Sequence, residues 1–253
     1  AVALAAGQAN GRNLVIADSA NGVVRQVDSK GVITTILPPA AKGQTTCCQR
    51  PTLLARGPAD SLYVVESEGG IWLFNRGTLD VTAHGQVVPP GASTLVAGGG
   101  GYGIGGEDVA AAGAEVQGVL GLAVDGKGNL FLAEGESSVR RVDARGTLTT
   151  VAGTGTPSFN GDGLKARLTG LHQPSFLTID RCGNLLLSDT GNDRVRRLNL
   201  EPTCPELVVP RSGFVGSRRM WLLGLALAGT LAAVAFAAVS SRRRSVRRRG
   251  GSP

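Results

Sequence analysis

The chain has 253 residues, enough for one sizeable core or two small ones, and its 38 glycines and 4% aromatics describe many turns and few helices. The formal charge of +7 would suit a nucleic-acid partner only if it covered a folded face. It does not: eight of the 26 basic residues lie at 218–219 and 242–249, and the remaining 18 stand against 19 acids, a net −1.

The chain opens inside an apolar run, Val2–Ala6, read as a strand; an upstream stretch such as a signal peptide is expected to have been removed or left out. Residues 13–36 hold three short runs rich in Val, Ile and Thr, the last at Val32–Ile36, with Asp18 closing the first and Arg25 within the second. Such runs, broken by Asn-Gly and Lys-Gly, predict strands joined by tight turns. Residues 37–60 are a proline-rich connection carrying Cys47 and Cys48, with one strand near Leu53–Ala55. Residues 61–75 repeat the pattern with Glu66 in the Asp position and Trp72 in the Arg position. Residues 76–118 read as a long connection ending in a strand, Ser93–Ala97, and a glycine-rich surface loop.

The unit is clearest over 119–200, where it is written twice, with Asn129 and Asn184 in equivalent places 55 residues apart. Each copy runs from an apolar strand to an acid (Asp125 or Asp180), a Gly-Asn turn and a second apolar strand. A polar turn and a Val-Arg-Arg strand at 139–142 or 195–198 follow, and Thr147–Val151 closes the first copy. Inward apolar rows are expected at Leu14/Ile16, Leu62/Val64, Leu130/Leu132 and Leu185/Leu187, because alternate residues of a strand share a face.

The stretches IDRCGNLLLSDTGNDRVRRL and GTLTTVAGTGTPSFNGDG resemble the NHL repeat of bacterial NHL-repeat proteins, with its D-x-x-GN turn, R-[IV]-R strand and V-A-G-T-G ending. The resemblance covers residues 2–200, tightly over 119–200. It implies an all-β β-propeller, each repeat a blade of three or four antiparallel strands. Four blades are legible, anchored at Asn13, Ser61, Asn129 and Asn184. They fit a four-bladed ring or a truncated or open array, since family propellers carry about six blades.

Beyond the propeller at 1–200 comes a Pro/Gly-rich linker, 201–219, with Leu207–Val209 read as a last strand. Residues 220–241 are uncharged, 22 residues that span about 33 Å as a helix, enough for a hydrocarbon core of about 30 Å. They predict one transmembrane α-helix. Arg242, Arg243, Arg244, Arg247, Arg248 and Arg249 in the tail at 242–253 are the topology signal, placing the tail in the cytoplasm and the propeller outside the plasma membrane. Cys182, in a blade turn, and Cys204, just past the last blade strand, form a candidate disulfide suited to that location.

Candidate chemistry is sparse. His84 and His172 are the only histidines, too few for the multi-His axial metal of propeller lyases and lactonases, and no nucleophile elbow is present. No catalytic residue, metal ligand or cofactor is therefore assigned. The loop Gly161-Asp162-Gly163 lacks the carboxylate spacing of a calcium loop and reads as a turn. The acid/arginine pairs Asp18/Arg25, Glu134/Arg140 and Asp189/Arg196 recur blade by blade, which argues for structure over an active centre. The expectation is a membrane-anchored extracytoplasmic binding or sensing module for a protein, peptide or glycan at the propeller face, and not an enzyme. The alternatives are a propeller enzyme with a degenerate metal site and an RNA-binding NHL module; the net −1 before the helix opposes the second, since phosphate binding needs a basic face.

Overall fold

A computed structural model describes residues 4–6, 13–37, 47, 49–100, 105–116 and 118–200. The predicted linker, transmembrane helix and tail, with Leu207–Val209, lie outside the described residues. Among those described, no helix is long and apolar enough to cross a membrane.

The described chain is all-β and antiparallel, organised in successive sheets referred to as blades. Blade 1 runs in order β1 (Leu4–Ala6), β2 (Leu14–Asp18), β3 (Val23–Val27) and β4 (Ile33–Leu37). Blade 2 takes β5 (Pro51–Arg56), β6 (Ser61–Glu66) and β7 (Ile71–Asn75). A separate hairpin follows, β8 (Val81–Ala83) with β9 (Gln86–Val88), before β10 (Ser93–Ala97) completes blade 2. Blade 3 adds β11 (Val109–Ala110) to β12 (Gly121–Val124), β13 (Leu130–Glu134), β14 (Ser138–Val142) and β15 (Thr147–Ala152). Blade 4 has β16 (Pro174–Ile179), β17 (Leu185–Asp189) and β18 (Arg194–Leu198).

The turns explain the periodicity. Asp28, Asp125, Asp143 and Asp180 each open an Asp-x-x-Gly turn, and each uses Oδ1 to accept the amides two and four residues on. At Asp125 these are Lys127 at 2.9 Å and Asn129 at 2.8 Å, and at Asp180 they are Cys182 at 2.8 Å and Asn184 at 2.9 Å. Asp28 and Asp143 do the same with Lys30 and Val32, and with Arg145 and Thr147. One carboxylate thus satisfies two amides that the turn would otherwise leave unpaired. The turn's last residue must be left-handed, which is why glycine stands at 31, 128, 146 and 183, with φ between 81° and 85°.

Three apolar clusters lie between successive blades. Val15, Ala17 and Val24 of blade 1 pack on Leu62, Val64 and Phe74 of blade 2. Tyr63, Val65 and Leu73 pack on Leu130, Leu132 and Leu148 of blade 3. Phe131, Ala133 and Val139 pack on Leu177, Leu185 and Leu187 of blade 4. The central strands of blades 2 and 3 are therefore buried on both faces, as β6 and β13 show along nearly their whole length.

This corrects the expectation of one inward row per blade. The rows Leu62/Val64, Leu130/Leu132 and Leu185/Leu187 each face the preceding blade. Leu14 and Ile16 occupy the same position in blade 1, where no described blade covers them; Leu14 is 37% exposed, and the buried row is Val15/Ala17 instead.

The hairpin β8–β9 is a second departure from the expected long connection. Its tip, His84-Gly85, adopts left-handed φ values of 51° and 73° and docks on the β14–β15 turn, the Gly85 amide donating to the Ala144 carbonyl at 3.0 Å. His84 Nδ1 lies 2.7 Å from the Asp143 carbonyl and Nε2 lies 2.8 Å from the Tyr63 hydroxyl. A carbonyl accepts only, so Nδ1 carries the proton and Nε2 accepts from Tyr63, which fixes one neutral tautomer. Burial pushes the His84 pKa down, against an opposing pull from Asp143, and pushes the Tyr63 hydroxyl up.

Candidate functional site

The acid/arginine pairs arise from strand register. Arg25, Arg140 and Arg196 stand opposite Ile16, Leu132 and Leu187 on the neighbouring strand, and Trp72 stands opposite Val64 in the same place. The acid ends the neighbouring strand two residues further on. Arg25 Nε lies 2.9 Å from Asp18 Oδ2, Arg140 Nη1 lies 3.6 Å from Glu134 Oε2, and Arg196 Nη1 lies 3.3 Å from Asp189 Oδ2. In blade 2 the Trp72 indole N–H donates to Glu66 Oε2 at 3.0 Å, so a neutral donor takes over the arginine's role.

Two of the arginines reach further. Arg140 donates to the carbonyls of Gly105 and Gly106 at 3.1 and 2.6 Å, and Arg196 to those of Gly170 and Gly161 at 3.0 and 2.7 Å. Each guanidinium therefore clamps the glycine-rich loop that enters its blade while its charge is balanced by the strand-end acid. The loops match further: Gly98 and Gly153 both run at left-handed φ and donate to Ala111 and Ala166. A Cβ at either glycine would meet a carbonyl oxygen, Gly69 at 2.2 Å or Ser137 at 2.0 Å.

Beside each clamp lies a solvent-open groove. In blade 3 it has a volume of about 570 Å³ and is lined by Glu107, Glu136, Ser137, Arg140 and Arg167. Glu107 crosses it, 3.3 Å from Arg167 and accepting the Thr150 amide at 3.0 Å. Its partial burial raises the carboxyl pKa, but bonds from Thr150 and the nearby Arg140 and Arg167 outweigh that and hold it below the usual value.

In blade 4 the groove is larger, about 1050 Å³, and runs along Asp193–Asn199, the whole of β18. Its far wall is the loop Asp162–Ala166. Asp162 Oδ1 lies 2.7 Å from Arg196 Nη2, and Arg194 stacks on the exposed Phe159 ring with its guanidinium carbon 4.0 Å from the centroid. Lys165, Arg194 and Arg197 also line it, giving the groove a basic character.

Cys182 sits in the β16–β17 turn. The Leu200 amide donates to Asn184 Oδ1 at 3.2 Å, so the chain leaving β18 returns to that same turn. Among the described residues no cysteine is free; Cys204 and the six tail arginines lie outside them. Sequence reasoning missed Phe159, Lys165 and Arg194, which no repeated pattern marks, and the Tyr63–His84 pair, whose partners are 21 residues apart. Among the described residues no group of three or more His, Cys, Asp or Glu is placed to hold a metal ion.

No family model matches the chain, and no curated protein matches it. Solved structures do. A structural genomics protein of unknown function from Bacteroides thetaiotaomicron VPI-5482 aligns at 17% identity and a TM-score of 0.59, over 78% of this chain and 46% of that one. An auxiliary nutrient binding protein from Bacteroides ovatus ATCC 8483 aligns at 16% identity and a TM-score of 0.55, over 78% and 47%. Another, from Bacteroides thetaiotaomicron VPI-5482, aligns at 16% and 0.54, over 77% and 47%. The chain spans about half the length of these proteins. At this identity the likeness shows the fold alone, a β-propeller.

Proposed function

We propose that the chain is a binding or sensing propeller of the NHL type, held outside the plasma membrane by a single helix over 220–241. Its ligand is a protein, peptide or glycan taken by the loops of the propeller. The observation that carries this reading is the loop-walled basic groove along β18, lined by Lys165, Arg194 and Arg197, with Arg194 stacked on the exposed Phe159 ring. Loops on a rigid β scaffold are where recognition usually resides. The acid/arginine pairs serve the scaffold, because each guanidinium is engaged by an acid of its own blade.

The return of Leu200 to the Asn184 turn supports a Cys182–Cys204 bond that pins the end of the array. Two experiments test the reading. Protease added to intact cells should remove residues 1–200 and leave the Arg-rich tail protected; a protected propeller would reverse the orientation. The full-length protein in detergent, probed on peptide and glycan arrays, should give saturable hits that weaken in an Arg194→Glu/Arg197→Glu variant. An array without hits, or hits indifferent to that variant, would remove the binding role of this groove.

A further inference from the structure

We infer that the exposed edge of β18 takes an extended, acidic peptide segment as an added antiparallel or parallel strand. This rests on the binding reading above and narrows it to one ligand class and one mode of capture.

The comparison among blades carries the argument. In blades 1, 2 and 3 the third strand is covered by a fourth: β3 by β4, β7 by β10 and β14 by β15. Among the described residues β18 pairs with β17 alone, and no other backbone hydrogen bond reaches Arg194–Leu198. In an antiparallel pair alternate N–H and C=O groups point away from the partner, so β18 presents a row of them to the groove. Strand addition supplies partners for that row.

The side chains say which strand fits. Where the position is filled, Thr35 stands opposite Arg25 and Thr150 opposite Arg140, with Thr34 and Thr149 beside them. Small β-branched residues thus leave room for the arginine to pass to its loop. In blade 3 a carboxylate, Glu107, also bonds the covering strand at Thr150. In blade 4 the groove lines Lys165, Arg194 and Arg197 against Asp193 and an Asp162 already engaged by Arg196. The surplus is positive, so the added strand should carry carboxylates. A second copy of β18 is a poor occupant, because like charges from Arg194, Arg196 and Arg197 would face one another across the new pair. A glycan would match the charge if acidic but lacks the row of amide donors and carbonyl acceptors.

The probe is a fluorescent peptide of about eight residues, alternating Val and Glu around a Thr-Thr centre, titrated by anisotropy against the full-length protein in detergent. Saturable binding is expected. N-methylation of one alternate set of peptide amides should abolish it, while methylation of the other set leaves it nearly unchanged. That contrast needs no protein variant. Arg194→Glu/Arg197→Glu should weaken binding by about tenfold or more, as loss of steering charge and salt pairing predicts. No binding, equal tolerance of both methylated sets, or equal binding of an acidic oligosaccharide of matched charge would overturn the inference. So would native-state hydrogen exchange showing every β18 amide already protected without peptide. A glycan-only result would leave the broader binding reading standing, whereas failure of every ligand class would remove both.

Discussion

Blades 3 and 4 carry the same Val-Arg-Arg strand and end in opposite environments. Val139 is 0% exposed and Val195 is 79% exposed, although each precedes its blade's clamp arginine. Arg140 is held within a five-stranded blade; Arg196 looks into an open groove. The repeat sets register, turn and ion pair, whereas the neighbours decide burial. The proposed strand addition depends on the second of these, because a strand that is covered has no donors left to offer.

The widest difference should come from the clamps. Arg140→Ala removes the guanidinium paired with Glu134, which is 1% exposed, and frees two carbonyls; a loss of about 3–5 kcal/mol is expected. Arg196→Ala should cost about 1–2 kcal/mol, because the buried Asp189 keeps the bonds it accepts from the His172 amide and the Asn192 side chain. Equal losses in urea titrations of the two variants would erase the contrast. Next are the preceding valines. Val139→Ala should cost about 2–3 kcal/mol through lost burial, and Val195→Ala should stay within about 0.5 kcal/mol. A destabilising Val195→Ala would show that its face is covered.

A pH effect sharpens the contrast from the blade 3 side. His84 is folded as the neutral form and its pKa is lowered, so its contribution to stability is complete above about pH 6.5 and is lost as pH falls through the lowered value. The groups facing it are the Tyr63 hydroxyl and the Asp143 carbonyl and carboxylate. Protection factors of the Val81–Val88 amides, taken relative to the intrinsic exchange rate at each pH, should fall as pH drops from about 7 to about 5, and no change there would contradict the neutral tautomer. The smallest effect belongs to Asp180. The Asn184 amide above all, helped by those of Cys182 and by Arg197, holds its carboxyl below the usual value. Its contribution is present above about pH 4 and lost as pH falls through the lowered pKa. Asp180→Asn should flatten the acid limb of the stability curve slightly; an unchanged limb would deny the turn that role.

The turns were legible because they are local: an Asp and a Gly three residues apart carry their own hydrogen bonds. The acid/arginine register was legible for the same reason, two strands and one turn apart. Burial was not. Leu14/Ile16 has the same pattern as Leu130/Leu132, and only the presence of a preceding blade separates them. Nor was the second function of the arginines, since Arg140 and Arg196 bond carbonyls 34 and 35 residues away in loops with no apolar periodicity. The hairpin β8–β9 was missed because its three-residue strands are too short to show alternation. The basic groove was half legible: Arg196 and Arg197 stand in the repeat and Arg194 does not, and its openness reflects the lack of a covering strand among the described residues, which no feature of 194–198 reports.

Native-state hydrogen exchange on the full-length protein, followed residue by residue in β14 and β18, tests the central contrast most directly. The structure predicts that all amides of Ser138–Val142 exchange slowly, through wide opening of the fold. In Arg194–Leu198 slow and fast amides should alternate, the fast set being those turned from β17 toward the groove. Uniform protection in both strands would mean that the edge of β18 is already covered, and would contradict the account.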